Sequence, residues 1–531
     1  MKLKKGLLFV VMLVLCISLI AVYVSSNGNT SSTDTPPADA PSAKIITPSP
    51  VGEKLLRVHR SWEEASWDPA IFRQADDVYL AIQVYESLLK MEEGGDLTPL
   101  LAESWEISDN GHKITMKLRQ GVQWHHGYGE FTSADVKFTF ERHLDEEVGS
   151  INAANLNLNN ISSIETPDPY TVVFNFTITD VDFLTRCSLY YAYMLSKAAY
   201  DDKGIDAMRH FPVGTGAFQY DNGTPGTRTE VVRFADYWGD KAIVDRVTSS
   251  IIFDIDTAYA AFENGEFDGM PIFDLDKVIE LENKGFTNIL VVVPKLRYVG
   301  VNMQQEPFTD DKIRAAFWHA IDPQYFVDQL AYGTEHVPGS YIPEGCKYSL
   351  PDYHKSVYDP AKSKQLLSEA GFPNGLNVTL WSVNDDQSAP VSQIVYSQLS
   401  DAGFIVEMQL VDFGVFIDKV RSGEAPLWVL SNSTPILSDE TMNRYTSGFY
   451  PGSNWIGLQD SAYDGLVAAG LNAATEQEKY DNFYKAQRYM IDMHLIYPLT
   501  TNSNSFMTQP NITGIDLWAD SYFRLNTTDI R

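Results

Sequence analysis

Residues Leu97 to Arg142 leave the backbone few choices. Trp105 and Ile107 alternate with Glu106 and Ser108, the period of a half-buried strand. Asp109-Asn110-Gly111 comes next, residue types that tolerate the positive φ of a tight hairpin turn. The return strand runs from Lys113 to Arg119, with Ile114, Met116 and Leu118 facing inward and Lys113, Thr115 and Lys117 outward. Thr132-Ser133-Ala134-Asp135 then reads as an N-cap, with Asp135 three residues after Thr132 in capping-box register. Val136, Phe138 and Phe140 open the helix that leads into Glu141-Arg142.

Read as a string, the same stretch carries more. Leu101-Ala102-Glu103-Ser104-Trp105, Asp109-Asn110-Gly111, Lys117-Leu118-Arg119-Gln120-Gly121-Val122, Trp124-His125 and Thr132-Ser133-Ala134-Asp135-Val136 resemble the signature of the family 5 extracellular solute-binding proteins. That is the dipeptide-, oligopeptide- and nickel-binding group serving ABC importers. The chain departs from the signature at His126, where the family usually carries Asp. Further landmarks keep the family's order: Ser66 to Ala70, Tyr85-Glu86-Ser87-Leu88, Phe211 to Phe218 with its Gly214-Thr215-Gly216, Asp236 to Gly239, and Asn264 to Asp268. Pro307 to Asp322 and Tyr358 to Phe372 complete the series. The resemblance runs from about Leu55 to the C-terminus. It implies an α/β, two-lobed periplasmic-binding-protein-like fold of the large three-domain type. Lobe I would combine residues 52–76, 209–287 and 498–531, with an inserted domain at 77–208; lobe II would be 288–497. From residue pattern, Leu55 to Val58 and Tyr298 to Asn302 read as strands, Ile164 to Phe176 as strand, turn and strand, and Val78 to Leu89 as a helix.

Three lysines in Met1 to Lys5 precede an apolar run from Gly6 to Val24. Residues 1–26 therefore read as a signal peptide or as an N-terminal membrane anchor, and either one exports the remainder of the chain. Residues 27–51, rich in Ser, Thr and Pro, cannot bury enough surface to fold and read as a linker. With 70 acidic against 40 basic side chains, a net charge of −30, the chain repels phosphate backbones, and nucleic acid is excluded as a partner. Cys16, Cys187 and Cys346 have neither disulfide-framework nor metal-ligand spacing.

No nucleotide-loop, zinc-helix or nucleophile-elbow motif occurs. Asp254-Ile255-Asp256 and Asp274-Leu275-Asp276 do not continue into calcium loops. His125-His126, read as strand neighbours, would point to opposite faces and serve hydrogen bonding rather than one metal. No cofactor and no metal is expected. The candidate ligand contacts are Trp62, Trp381 and Trp455, which lie in turn-rich stretches, together with Asn432, Asp439 and Asn454.

By the resemblance, peptide binders carry an Asp that pairs with the peptide's amino terminus. Counting on from Gly423-Glu424 puts Asn432 and Pro435 where that motif's Trp and Asp should be, with Asp439 and Glu440 the nearest acids. Dipeptide binders also hold the carboxylate with an Arg after the strand near Trp381, yet no Lys or Arg occurs from Leu376 through Asp418. A buried terminal charge without a partner costs several kcal/mol, so the usual clamp on both ends of a dipeptide is missing.

The sequence thus reads as a non-enzymatic, extracellular or periplasmic substrate-binding component of an ABC importer. It would capture a peptide or related solute by lobe closure and deliver it to the permease and ATPase. A nickel or metal-chelate binder, a chemosensory receptor of the same fold and a secreted hydrolase are the alternatives.

Overall fold

The computed structural model describes residues 52–60, 66–72, 78–92, 95–351, 353, 357–385, 388–433, 436–450, 452–517 and 522–531. The segments 1–26 and 27–51, as well as Trp62 and Pro435, lie outside the described residues. From Gly52 onward the chain forms one contact unit.

Local chemistry and structure agree most closely between Leu97 and Arg142. While β1 (Leu55–Arg60) belongs to the large sheet, strand β2 (Ala102–Ser108) of a smaller one pairs antiparallel with β3 (Lys113–Leu118). Asp109, Asn110 and Gly111 all take positive φ, as the turn requires. Ile114, Met116 and Leu118 are buried. Ile107 is 55% exposed because β2 is an edge strand of a small sheet ordered β2-β3-β5-β4, where β4 is Ile161–Asp168 and β5 Thr171–Phe176. The capping box forms: Asp135 accepts from the Thr132 backbone N–H at 2.9 Å, ahead of a helix over Ser133–Arg142. Arg142, which closes that helix, makes a fully buried bidentate pair with Asp68 at 2.8 and 2.7 Å, tying the Ser66 to Ala70 loop to it.

The helix expected over Val78 to Leu89 shrinks to α1 (Ala81–Val84), and the chain becomes extended at Tyr85. Tertiary contacts override the periodicity here. The Gly216 N–H donates to the Val84 carbonyl at 2.8 Å, and a Cβ on Gly214 would stand 2.0 Å from that oxygen, so only glycine lets the two backbones meet. Glu86 is then drawn inward to accept from Thr215 Oγ1 (2.7 Å), Tyr237 OH (2.9 Å) and Trp238 Nε1 (2.9 Å). Three sequence landmarks far apart in the chain therefore converge on one carboxylate. Burial pushes its pKa up, while the three hydrogen bonds pull it back down.

The large sheet adds β6 (Phe218–Thr224), β7 (Arg228–Arg233), β8 (Arg246–Ile251), β9 (Gly269–Ile272), β10 (Thr287–Val301), β11 (Leu376–Val383), β12 (Phe404–Val411), β13 (Leu427–Ser433) and β14 (Ile496–Thr508). Its order is β12-β11-β13-β10-β14-β9-β1-β8-β7-β6. The expected strand at Tyr298 to Asn302 is only the end of β10, a 15-residue strand of about 50 Å at roughly 3.3 Å per residue. It pairs antiparallel with β14 from Thr287–Thr508 to Gly300–Ile496, with register shifts between Val293 and Leu296 and between Arg297 and Tyr298. Two large hydrophobic cores flank that irregularity. The first includes Leu56, Tyr85, Trp124, Phe174, Phe183 and, on β10, Val291; the second begins at Leu296 and includes Trp318, Leu380, Trp428 and Tyr497. The two lobes are thus joined by long strands that run from one core into the other, with a bulge between.

Candidate functional site

Strands β11 and β12 run parallel, and β13 pairs parallel with β11 at Trp428, so all three carboxyl ends point the same way. Open α/β sheets bind ligands at such ends. Trp381 is not in a turn-rich stretch as expected; it lies in β11, beside Gln409 and Trp428 in register. It is half-buried, and its indole Nε1 is shielded from solvent with no hydrogen-bond acceptor among the described residues. A buried N–H without an acceptor is costly, so this group suits a ligand oxygen.

The remaining candidates divide. Asn454 is fully buried and its Nδ2 donates to the carbonyls of Tyr445, Thr446 and Leu458 at 3.0, 3.1 and 2.7 Å, which braces a loop. Trp455, half-buried, donates its Nε1 to the Gly452 carbonyl at 3.1 Å and packs against the second core. The backbone of Asn432 pairs with Leu296 on β10; its side chain is outside the described set.

Asp439 opens a short helix (Asp439–Arg444), but its carboxylate is already engaged. Arg186 Nη2 approaches it at 2.9 Å and Lys479 Nζ at 2.7 Å. Burial opposes the charge on Arg186, yet Asp180 and Asp439 more than offset that and its pKa is raised. A second carboxylate, Asp182, is fully buried and accepts from Lys347 Nζ (2.9 Å), Lys479 Nζ (2.6 Å) and Tyr348 OH (2.6 Å). Burial alone would raise its pKa; Lys479 and Lys347 prevail and hold it below the usual carboxylate range.

Two cations escape the sequence reading. Lys295 and Arg297 sit on β10 at the bulge, alternating with the core residues Leu296 and Tyr298. Arg297 pairs with Glu335 and donates to Thr500 Oγ1 at 3.3 Å. Burial, then Arg297, lowers the pKa of Lys295, while Asp385 and Glu335 raise it. A signal exists in the sequence: the alternation of Lys295-Leu296-Arg297-Tyr298 extends the strand upstream and puts both cations on one face. They supply positive charge two strands away from β11, whose stretch from Leu376 through Asp418 has none.

His125 and His126 occupy a turn rather than a strand, His126 at positive φ. His125 is buried, accepts at Nδ1 from the Gly214 N–H (3.2 Å) and donates from Nε2 to the Gly216 carbonyl (2.9 Å), so both ring nitrogens are used structurally. Burial lowers its pKa to about 3. Among the described residues no group of three or more His, Cys, Asp or Glu is arranged to hold a metal ion, and no helix is long and apolar enough to cross a membrane.

A family model described as bacterial extracellular solute-binding proteins, family 5 Middle, matches residues 96–454. The glutathione-binding protein GsiB of Salmonella typhi is 27% identical over 478 residues, covering 85% of this chain and 90% of that protein. GsiB of Pectobacterium atrosepticum is 31% identical over 357 residues, 66% of this chain and 68% of that one. Among solved structures, the ABC transporter substrate-binding protein CtaP of Listeria monocytogenes aligns with a TM-score of 0.81 at 22% identity, covering 90% of this chain and 99% of that one. NikA of Brucella suis, solved with Fe(III)-EDTA, aligns at 0.80 and 22% identity, covering 90% and 100%.

Proposed function

Because the chain belongs to the bacterial extracellular solute-binding proteins of family 5, we propose that its solute is a short peptide of at least three residues. The chain is the substrate-binding component of an ABC importer. The observation that carries the peptide reading is the likeness to glutathione-binding relatives over most of both chains, glutathione being a tripeptide. The geometry supports the length preference. Asp439, the nearest acid for a peptide's amino group, is neutralised by Arg186 and Lys479, so a dipeptide lacks its usual partner at that end. Trp381 Nε1 offers an unpaired donor, and Lys295 adds positive charge on β10, while Arg297 is already held by Glu335 and Thr500.

In this reading residues 52–76, 209–287 and 498–531 with the insert 77–208 form one lobe and 288–497 the other, hinged at the bulge in β10. Capture proceeds by closure of the lobes over the solute, which excludes water from it, and the closed form is handed to the permease and ATPase. The chain carries solute and catalyses no reaction. Residues 1–26 export the chain, as a signal peptide or as an anchor at the outer face of the membrane, with 27–51 as the linker.

Calorimetry of glutathione, tripeptides and matched dipeptides against the full chain tests this. Tripeptides binding at least tenfold more tightly than dipeptides is the expected result. Equal affinity, or heat only from metal chelates, would reject it.

A further inference from the structure

Between the two cores lies a balanced set of buried charges. Asp180, Asp182 and Arg186 flank Phe183 and Cys187, which belong to the first core. Lys347 precedes Tyr348, Asp439 lies one turn before Met442, and Lys479 one turn before Phe483; Tyr348, Met442 and Phe483 belong to the second core. Every bond joining the sets crosses from one core's residues to the other's: Arg186 to Asp439, Lys479 to Asp182, Lys347 to Asp182, and Tyr348 OH to Asp182. Asp182 and Lys479 side chains are 0% and 3% exposed, so water does not substitute for these partners while the lobes are together. Arg186 is further fixed by Asp180 at 3.1 Å and by the Asn155 carbonyl at 2.7 Å. Alongside the charges, Leu437 from the segment after β13 packs into the first core, and the Lys347 N–H donates to the Ile436 carbonyl at 2.6 Å.

We infer that this cluster is a latch, made of the protein's own charges, that holds the lobes together before any solute is bound. Three buried or half-buried acids meet three bases, with Glu476 joining Lys347 at 2.9 Å on the exposed edge, and removing one buried partner leaves another charge uncompensated. The same contacts explain why Asp439 is not offered to a solute: closure consumes it. A chain latched in this way rests closed, and solute enters through transient openings that break the whole cluster together.

The inference rests on the reading that the lobes move apart, but its test does not involve the solute. Amide hydrogen exchange of the full-length, solute-free protein reads it directly. In the wild type, amides of 182–189, 345–349, 437–443 and 479–483 should exchange slowly. In Asp182→Asn and Lys479→Met they should exchange at least tenfold faster, all four segments together, while β3 and β11 keep their protection. Lys347→Gln, at the more accessible edge, should give the same pattern more weakly if either variant folds poorly. Wild-type exchange that is already fast without solute, or variants whose four segments stay as protected as in the wild type, would overturn the latch. Peptide binding measured by calorimetry is unaffected by that outcome, so loss of the latch and loss of the solute reading remain distinguishable.

Discussion

Removing the Glu86 side chain should be among the most damaging single changes away from the cleft. Its carboxylate is the shared acceptor for Thr215, Tyr237 and Trp238, at 2.7 to 2.9 Å. Glu86→Ala leaves those three donors without an acceptor, each at about 1–3 kcal/mol when buried. Water entering the vacated space recovers part of that, which puts the net loss at about 3–5 kcal/mol. Glu86→Gln behaves differently. The amide oxygen replaces Oε2 as acceptor for Thr215 and Trp238, and the Tyr237 hydroxyl can turn to accept from the new NH₂. It loses the attraction of Arg524 but also the cost of burying a charge, which is what raises the Glu86 pKa. The Gln variant should therefore lie within about 1 kcal/mol of wild type. Urea unfolding followed by tryptophan fluorescence, with both variants and wild type at equal concentration, reads the midpoints. A loss below about 1 kcal/mol for Ala, or a Gln variant as unstable as Ala, would refute the account of how the three landmarks are joined.

The same geometry sets three further expectations. Lys295→Met should weaken peptide binding roughly ten- to a hundredfold in calorimetry, the worth of one charge-assisted bond of about 1.5–3 kcal/mol; unchanged affinity would remove Lys295 from the site. Gly214→Ala, whose Cβ would meet the Val84 carbonyl oxygen at 2.0 Å, should prevent accumulation of soluble protein or lower its urea midpoint steeply, and a wild-type midpoint would contradict the packing. His125 is held neutral with a pKa of about 3 against about 6.5 unfolded, so only the unfolded chain takes up its proton as pH falls below 6.5. Stability should be unaffected by this group above about pH 6.5 and lower by about 2 kcal/mol at about pH 5, seen as a falling urea midpoint that His125→Gln flattens.

The features legible in the sequence are those that neighbours in the chain decide. The Asp109-Asn110-Gly111 turn and the Thr132–Asp135 capping box depend on residues within a few positions, and both form as expected. The ordered landmarks carried the fold. The helix over Val78 to Leu89 failed because Gly216, some 130 residues away in sequence as the Thr215–Glu86 separation of 129 indicates, bonds the Val84 carbonyl and Gly214 packs closely against it. Asp439 looked available for the same kind of reason. Its partners Arg186 and Lys479 lie 253 and 40 residues away, and no local pattern announces such pairings. Lys295 and Arg297 were legible in principle, since their alternation with Leu296 and Tyr298 is local, but only once β10 is extended upstream.

The most direct test of solute capture is native mass spectrometry of the full chain purified without denaturation from cells grown on peptide-rich medium. The account predicts one retained peptide of three or more residues per chain, released on unfolding. A retained dipeptide, a metal chelate, or no small molecule at all would contradict it.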